Sequence, residues 1–157
     1  MNVQEIKNAS LELLKSADAA YVTTVDDKSR PHTRCMFNLR NKGKFPKLIE
    51  MFKAHEDDFM ILLTTNTSSS KVAHIERNPA VCIYYCKPAE FHGLMLAGDA
   101  EIITDPKVKE QLWHDGWERY YPAGPQDPDH TVLRLMPSSA KGWYKGRIFN
   151  LEFGDTA

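Results

Sequence analysis

A run of hydroxyl side chains ends in a lysine at residues 64–71 (TTNTSSSK). The apolar stretch before it, residues 59–63, predicts a buried strand. The residues after it predict a helix that ends before Pro79, because proline cannot continue a helix. A helix N-terminus carries unpaired N–H groups and a partial positive charge, so hydroxyl groups and Lys71 at this junction suit a phosphate group. The alternative is a polar loop with an ordinary serine N-cap, since the glycines of a P-loop are absent.

The composition of the chain is that of an ordinary globular protein, and its charge gives no reason to expect a nucleic-acid or membrane partner. Its 157 residues favour one domain, 1–157. The 20 basic and 21 acidic residues give a net charge of -1, which provides no general attraction to nucleic acid or to anionic lipid. No apolar run approaches the length of a membrane span, and the N-terminus lacks the pattern of a signal peptide. We therefore expect a cytoplasmic protein with neither a nucleic-acid nor a membrane partner.

The three cysteines, Cys35, Cys82 and Cys86, all fall in apolar, strand-like runs. Such an odd and sparse set predicts reduced, buried thiols in a cytoplasmic setting. Cys82 and Cys86 could share one face of a strand, but no pair of histidines completes a zinc-binding spacing. We expect no metal site.

The pattern of apolar residues predicts a mainly β (α+β) chain with helices at its periphery. Asn2 and Glu5 resemble a capping box, and the apolar spacing that follows predicts a first helix over residues 3–16. A turn cluster at residues 26–29 joins two β-rich runs into a hairpin. The whole chain shows about seven strands, several joined by short turns, which implies antiparallel pairing. We predict a small, mainly antiparallel β-barrel with three or four peripheral helices.

Two segments fall outside this pattern of strands. Residues 48–55 could form a short helix, with Leu48, Ile49 and Phe52 on one side. Residues 121–129 contain too much proline, glycine and aspartate for regular structure. We expect an ordered loop or a domain edge there, and no linker between domains.

Four stretches of the sequence carry a resemblance by their residues and their order: residues 29–36 (SRPHTRCM), 63–81 (LTTNTSSSK and the helix after it), 98–101 (GDAE) and 142–146 (GWYKG). In this order they resemble the corresponding stretches of the FMN-binding split barrel family, that of pyridoxine/pyridoxamine 5'-phosphate oxidase and its relatives. The resemblance covers most of the chain and implies a small antiparallel split β-barrel. Asp127, Pro128 and Asp129 before a strand are similar to the general stress protein branch of this family.

The resemblance also implies a set of contacts to FMN. Arg34 matches an arginine that binds the FMN phosphate, and a guanidinium suits this task because it donates two parallel hydrogen bonds. Met36 matches a position whose backbone lies along the flavin ring. Ser70 stands where the oxidases often carry a second basic residue, so less charge would hold the phosphate. The residues that match contacts to the phosphate and ribityl groups are Thr64, Thr65, Ser69, Ser70 and Lys71.

The same resemblance implies a homodimer with two flavins at the subunit interface. Trp143 or Tyr144 matches an aromatic residue that the other subunit lays against the flavin, with packing in the core as the alternative for each. Trp113 and Trp117 are expected to pack their helix against the barrel. The six histidines are scattered along the sequence and are expected to be surface or packing residues.

The function implied is that of an FMN-binding flavoprotein, an oxidoreductase that acts on a small molecule with a nicotinamide donor. The flavin carries the redox chemistry, so the lack of a catalytic triad or paired carboxylates does not count against an enzyme. One alternative is a flavin-binding stress or carrier protein without a substrate of its own. Another is a split barrel that binds haem or deazaflavin, which an absorption spectrum would distinguish.

One substrate class is not expected. Pyridoxine 5'-phosphate oxidases follow their C-terminal aromatic motif with an arginine and, two residues later, a histidine that contacts the substrate. Here Arg147 is followed by Phe149 at the histidine position. Phenylalanine can neither donate a hydrogen bond nor accept a proton. We therefore expect no oxidation of pyridoxine or pyridoxamine phosphate.

Overall fold

Helix α1 (Val3–Ser16) begins at the predicted capping box, in a computed structural model that describes residues 2–154. The side chain of Asn2 accepts a hydrogen bond from the backbone N–H of Glu5, and the Glu5 carboxylate accepts one from the N–H of Asn2. These two bonds satisfy donors that a helix start would otherwise leave unpaired. Leu11 and Leu14 face the sheet and join the main hydrophobic core.

Eight antiparallel strands make up the sheet of the described residues. Their hydrogen-bonded order is β2-β1-β4-β5-β6-β3, and β7 pairs with β5 and β8. The sheet curls into a half-barrel, so the predicted mainly antiparallel β fold with peripheral helices is confirmed. The strands are β1 (Ala19–Val25), β2 (Pro31–Phe37), β3 (Ile61–Asn66), β4 (Ala80–Lys87), β5 (His92–Ile103), β6 (His130–Leu135), β7 (Ser139–Tyr144) and β8 (Arg147–Glu152).

Strand β5 belongs to both halves of the curled sheet. Its first part, up to Asp99, pairs with β4, and Gly93 to Ala97 also pair with β7. From Ala100 onward the strand pairs with β6 instead. A side chain at Gly98 would approach the Leu135 side chain at 3.1 Å and the Met136 carbonyl oxygen at 3.2 Å. Glycine at this position therefore leaves room for the neighbouring chain where the strand changes from one partner strand to another.

Two further α-helices flank the sheet, α2 (Ser70–Arg77) and α3 (Pro106–Leu112). The short helix expected at residues 48–55 is absent, and two separate 3-10 turns, Pro46–Leu48 and Lys53–His55, take its place. The proline-rich loop is ordered, as expected, and contains the 3-10 turn Gly124–Gln126.

Apolar side chains pack in two clusters, one on each side of strands β3 and β6. The main core lies between α1 and the inner face of the sheet, with Leu63 and Leu133 among its members. The second cluster lies beneath α3 and the loops around it, and it contains Leu62 and Trp117. Trp113 and Trp117 therefore pack against the barrel in this cluster, as predicted from the sequence. The segment carrying Trp117 is fixed in place beside β2 and β3.

The prediction that all three cysteines are buried is wrong. Cys35 is exposed, Cys82 and Cys86 are half-buried, and all three thiols are free. Side chains alternate between the two faces of a strand, and the inward positions of β2 and β4 belong to neighbours such as Arg34 and Ile83. The cysteines therefore point outward, although the runs that contain them are apolar.

The outward face of the sheet carries an apolar stripe, which we call the outer sheet face. Tyr21 pairs with Tyr84, Tyr84 with Met95, and Trp143 with Ile148 across neighbouring strands. Residues directly opposite one another in a sheet project from the same face. Trp143 is 41% exposed and Ile148 is 78% exposed. Contiguous exposed apolar surface of this kind marks sites of protein contact.

Candidate functional site

A cavity of about 540 Å³ opens between β2, β3, the start of α2 and the loop after α3. Its volume lies in the range of small-molecule sites. Five of the nine residues predicted to contact the cofactor line it, namely Arg34, Met36, Thr64, Thr65 and Lys71. The other lining residues are Asp18, Ala19, Cys35, Phe37, Lys44, Asn66, Trp117, Tyr120 and Tyr121.

Arg34 projects from β2 into this cavity with only part of its guanidinium in use. Its Nη1 donates to the carbonyl oxygens of Val22 and His32, at 3.3 and 2.7 Å, and to Oγ1 of Thr24 at 2.8 Å. Nη2 and Nε have no hydrogen-bond partner among residues 2–154. Burial lowers the pKa of Arg34 from its usual value. Two donors of the fork are therefore free to bind an anion bidentately.

Lys71 lies beside Arg34 in the first turn of α2, and its Nζ donates to Oγ1 of Thr65 at 2.8 Å. Burial, and next the positive charge of Arg34, lower the pKa of Lys71. In the described part of the chain, no carboxylate lies within ion-pair distance of either cation. Two partly desolvated like charges without a counterion destabilise each other. An anion bound between them would remove that cost.

Ser69 occupies the N-cap position of α2, but its side chain makes no capping hydrogen bond. Its Oγ is buried and has no partner among the described residues. The ordinary serine N-cap that the sequence left open is therefore not what forms. Ser69 and the exposed Ser70 stand at the same helix start as Lys71, outside the residues that line the cavity wall. A buried hydroxyl without a partner, at the helix start that carries Lys71, fits a site that receives an anion.

The proline-rich loop holds the end of β3 and the turn into α2. The Asp129 carboxylate accepts hydrogen bonds from the Asn66 side chain at 2.6 Å and from the Ser68 N–H at 2.8 Å. The Asp129 carbonyl accepts a third from the Thr67 N–H at 2.8 Å. The bonds from Asn66 and then Ser68 lower the pKa of Asp129. The motif 127–129, which served only as a family resemblance in the sequence, fixes the shape of the hydroxyl-rich turn.

The other end of the cavity is aromatic and was not identified from the sequence. Phe37 and Trp117 stack with ring centroids 6.0 Å apart, and Tyr120 lines the cavity beside them. Tyr121 also lines this end, and burial raises the pKa of its phenol. The sequence pattern that could have indicated it is the three aromatic residues within the five positions after Gly116. In the structure Gly116 has a φ of 95°. With a cationic end and an aromatic end, the cavity suits a molecule that joins a phosphate to a flat ring system.

Neither Trp143 nor Tyr144 lines the cavity of its own chain. Trp143 is on the outer sheet face, whereas Tyr144 packs on His92, with ring centroids 4.5 Å apart, and against the main core. The predicted flavin contact of these residues concerned a second subunit, so it stays a prediction. Their environments favour Trp143 for that role, because its ring is available at the surface.

Phe149 is buried in the main core opposite Gly142. Phe149 therefore occupies a packing position in this chain. The expectation that pyridoxine and pyridoxamine phosphate are not substrates stays a prediction.

Over residues 2–154, none of the helices combines the length and apolarity needed to span a membrane. In the same range, histidine, cysteine and carboxylate side chains do not come together in a group of three that could ligate a metal ion.

Comparison with known proteins agrees with this geometry. General stress protein 26 of Bacillus subtilis (strain 168) is 27% identical over 144 residues, which cover 90% of each chain. The structure of a protein related to general stress protein 26 from Clostridium acetobutylicum has a TM-score of 0.76 at 29% identity, over 97% of each chain. General stress protein 26 of Bacillus anthracis str. Sterne shares the fold, with a TM-score of 0.69 at 21% identity over 94% of this chain and 99% of that one. The sequence profile of pyridoxamine 5'-phosphate oxidase matches residues 6–144, so the chain belongs to that family, as its four stretches predicted.

Proposed function

We propose that the protein is an FMN-binding flavoprotein whose phosphate site lies between Arg34 and the start of α2. The observation that carries this proposal is the pair of partly buried cations, Arg34 and Lys71, without a carboxylate partner among the described residues. The unpartnered Oγ of Ser69 at the same helix start supports it. A phosphate would give all three groups a partner and would also meet the positive end of the α2 dipole.

The remaining lining residues fit the rest of the cofactor. The backbone of β2 around Met36 would run along the flavin ring, and the aromatic end with Trp117 and Tyr121 would cover apolar ring surface. Thr64 and Thr65 place hydroxyl groups between the two ends of the cavity. When bound, FMN supplies the redox chemistry, while the protein supplies binding, orientation and exclusion of water.

The proposed activity is the oxidation or reduction of a small molecule with a nicotinamide donor, in the cytoplasm. The cavity supports it because its aromatic end offers a flat, water-excluding surface on which planar groups stack. The three free cysteines support a reducing compartment.

The first prediction is that the purified protein binds FMN with micromolar or tighter affinity, which corresponds to at least about 8 kcal/mol of binding free energy. The reason is the match between the two ends of the cavity and the two parts of FMN. A titration that follows quenching of flavin fluorescence, together with an absorption spectrum of the protein as isolated, measures it. A haem or deazaflavin spectrum, or no response to added FMN, would contradict the proposal.

We also propose that the outer sheet face forms the contact between two subunits and brings Trp143 to the flavin site of the other. The second prediction is that Ile148→Asp shifts the protein towards the monomer and lowers its flavin content in parallel. Ile148 is already 78% exposed in the single chain, so a charge there opposes association more than folding. Sedimentation velocity with absorbance detection at both protein and flavin wavelengths measures both effects.

Val3→Asp is the matched control for this experiment. Val3 is 67% exposed in the first turn of α1, away from the outer sheet face. It should leave both association and flavin content unchanged. A monomer that retains one FMN per chain would rule out a site shared between subunits.

A further inference from the structure

The hydroxyl of Thr24 lies between the two elements that supply the cations of the cavity. Thr24 is fully buried on β1. Its Oγ1 accepts a hydrogen bond from Nη1 of Arg34 at 2.8 Å, and it lies 2.8 Å from Nδ1 of His74. Arg34 belongs to β2 and His74 to α2. A single hydroxyl therefore connects the guanidinium to the helix that carries Ser69 and Lys71.

The proton positions along this bridge follow from the chemistry of its members. A guanidinium only donates, so the Thr24 oxygen is the acceptor of the Arg34 bond. The hydroxyl hydrogen is then available to His74, and Nδ1 accepts it when the ring is neutral and carries its proton on Nε2. His74 is buried, and burial, then the charges of His32 and Arg34, lower its pKa. These effects favour the neutral ring that the bridge requires.

Other polar groups around His74 do not replace this arrangement. The ring of His32 lies beside that of His74, with centroids 5.1 Å apart, and its Nε2 is hydrogen-bonded to Asp26 at 2.8 Å. Arg77 lies one turn further along α2 and pairs with Asp27 at the surface. None of these side chains donates to Nδ1 of His74 among the described residues.

The bridge fixes the separation between the two halves of the phosphate site. His74 follows Lys71 by three residues, one turn along the same helix. Holding His74 against Thr24 therefore holds the start of α2 at a set distance from Arg34. Binding one phosphate from both sides depends on that distance, since charge-assisted hydrogen bonds form only over a narrow range of length and angle.

We propose that Thr24 and His74 are positioning residues for this site, and that the bridge from Arg34 through Thr24 to His74 determines how strongly the protein prefers FMN to riboflavin. This inference rests on the proposed binding of FMN. It adds two residues that touch no ligand and act through Arg34 and α2.

The experiment compares the affinities for FMN and riboflavin, measured by flavin fluorescence titration, in wild type and in two pairs of variants. Thr24→Val keeps the shape of the side chain but removes the hydroxyl, and His74→Leu removes the acceptor. Each should lower the ratio of FMN to riboflavin affinity by about five- to twenty-fold, the worth of about one or two hydrogen bonds. Thr24→Ser and His74→Asn, which keep a hydroxyl and an acceptor near the same place, should restore most of the ratio.

Thr23→Val is the matched control. Thr23 neighbours Thr24 on β1, but its hydroxyl bonds to that of Thr33, at 2.7 Å, outside the cavity. It undergoes the same chemical change and should leave the ratio unchanged. If Thr24→Val does not fold, the contrast between His74→Leu and His74→Asn decides the question.

The outcomes separate this inference from the function on which it rests. If wild type does not prefer FMN to riboflavin, both the proposed phosphate site and this inference are wrong. If wild type prefers FMN and Thr24→Val keeps that preference, only the positioning role is wrong. A variant that loses affinity for both ligands equally would show that the bridge supports the fold alone.

Discussion

Arg34→Ala and Lys71→Ala should each weaken FMN binding by about ten- to a hundred-fold while riboflavin binding changes little. Each residue is expected to donate charge-assisted hydrogen bonds to the phosphate, and such bonds contribute about 1.5–3 kcal/mol. Riboflavin lacks the phosphate, so its binding loses no hydrogen bond when either cation is removed. Parallel fluorescence titrations with the two ligands measure the difference directly.

Neither substitution should destabilise the fold. The positive charges of Arg34 and Lys71 repel each other, and neither has a carboxylate partner in residues 2–154. Replacing either residue by alanine therefore leaves no buried negative charge unpaired. Lys44→Ala is the control, because Lys44 lines the same cavity but already pairs with Asp18 at 3.2 Å. It should change FMN affinity far less. Equal losses for FMN and riboflavin in Arg34→Ala would mean that Arg34 does not meet the phosphate.

The second large effect is expected on stability. Gly142→Ala should lower the free energy of unfolding by about 3 kcal/mol, at the upper end of overpacking substitutions. A Cβ atom at Gly142 would overlap the backbone carbonyl of Gly93 on the neighbouring strand β5 and would approach Cζ of Phe149 at 2.9 Å. The Phe149 ring could shift, but the carbonyl belongs to a paired strand and cannot move without breaking the ladder. Chemical denaturation followed by circular dichroism measures the loss.

Gly43→Ala provides the comparison for Gly142→Ala. A Cβ atom at Gly43 would lie 3.4 Å from the side-chain oxygen of Asn41, an ordinary contact. Its effect should remain within about 0.5 kcal/mol. Coinciding denaturation midpoints for the two variants would show that β5 and β7 have room that the structure does not indicate.

The parts of the fold that the sequence predicted are those encoded locally. The capping box at Asn2 and Glu5, the hairpin of β1 and β2, and the junction of β3 with α2 each depend on residues close together in the chain. Residue types and period alone decide such elements. Lys71, one of the two cations of the cavity, followed from the same junction, because a strand end and a helix start bring Thr65 near Lys71. Arg34, the other cation, was implied only by the family resemblance.

Residues 48–55 show why a local pattern can mislead. The spacing of Leu48, Ile49 and Phe52 fits a helix, but Ile49 is 40% exposed and only the other two are buried. The backbone N–H groups of Lys53 and His55 donate to the carbonyl oxygens three residues before them, which gives 3-10 turns and no continuous α-helix. The buried guanidinium of Arg40 donates hydrogen bonds to the carbonyl oxygens of His55 and Met60, at 2.8 and 3.0 Å, and so anchors the end of the segment. Arg40 lies outside the segment, so this contact is invisible in its periodicity.

The bridge at Thr24 and the aromatic end of the cavity escaped prediction for a related reason. Thr24 and His74 are 50 residues apart in sequence, and Trp117 reaches Phe37 only because the loop after α3 folds back over β2. No residue type at these positions signals the contact on its own. A tryptophan or a buried histidine is compatible with simple packing until the topology shows what it faces.

The hydrogen bonds from the turn between β3 and α2 to Asp129 have a consequence for the order in which the protein folds. Asn66 and Asp129 lie 63 residues apart, and within residues 2–154 the only strand that pairs with β3 is β6. During synthesis the hydroxyl-rich turn therefore emerges long before the segment that shapes it. Pairing over such sequence separations is slow compared with local folding. Competence to bind a ligand should accordingly appear as one of the last events of folding, and a nascent chain that ends before β6 should lack it.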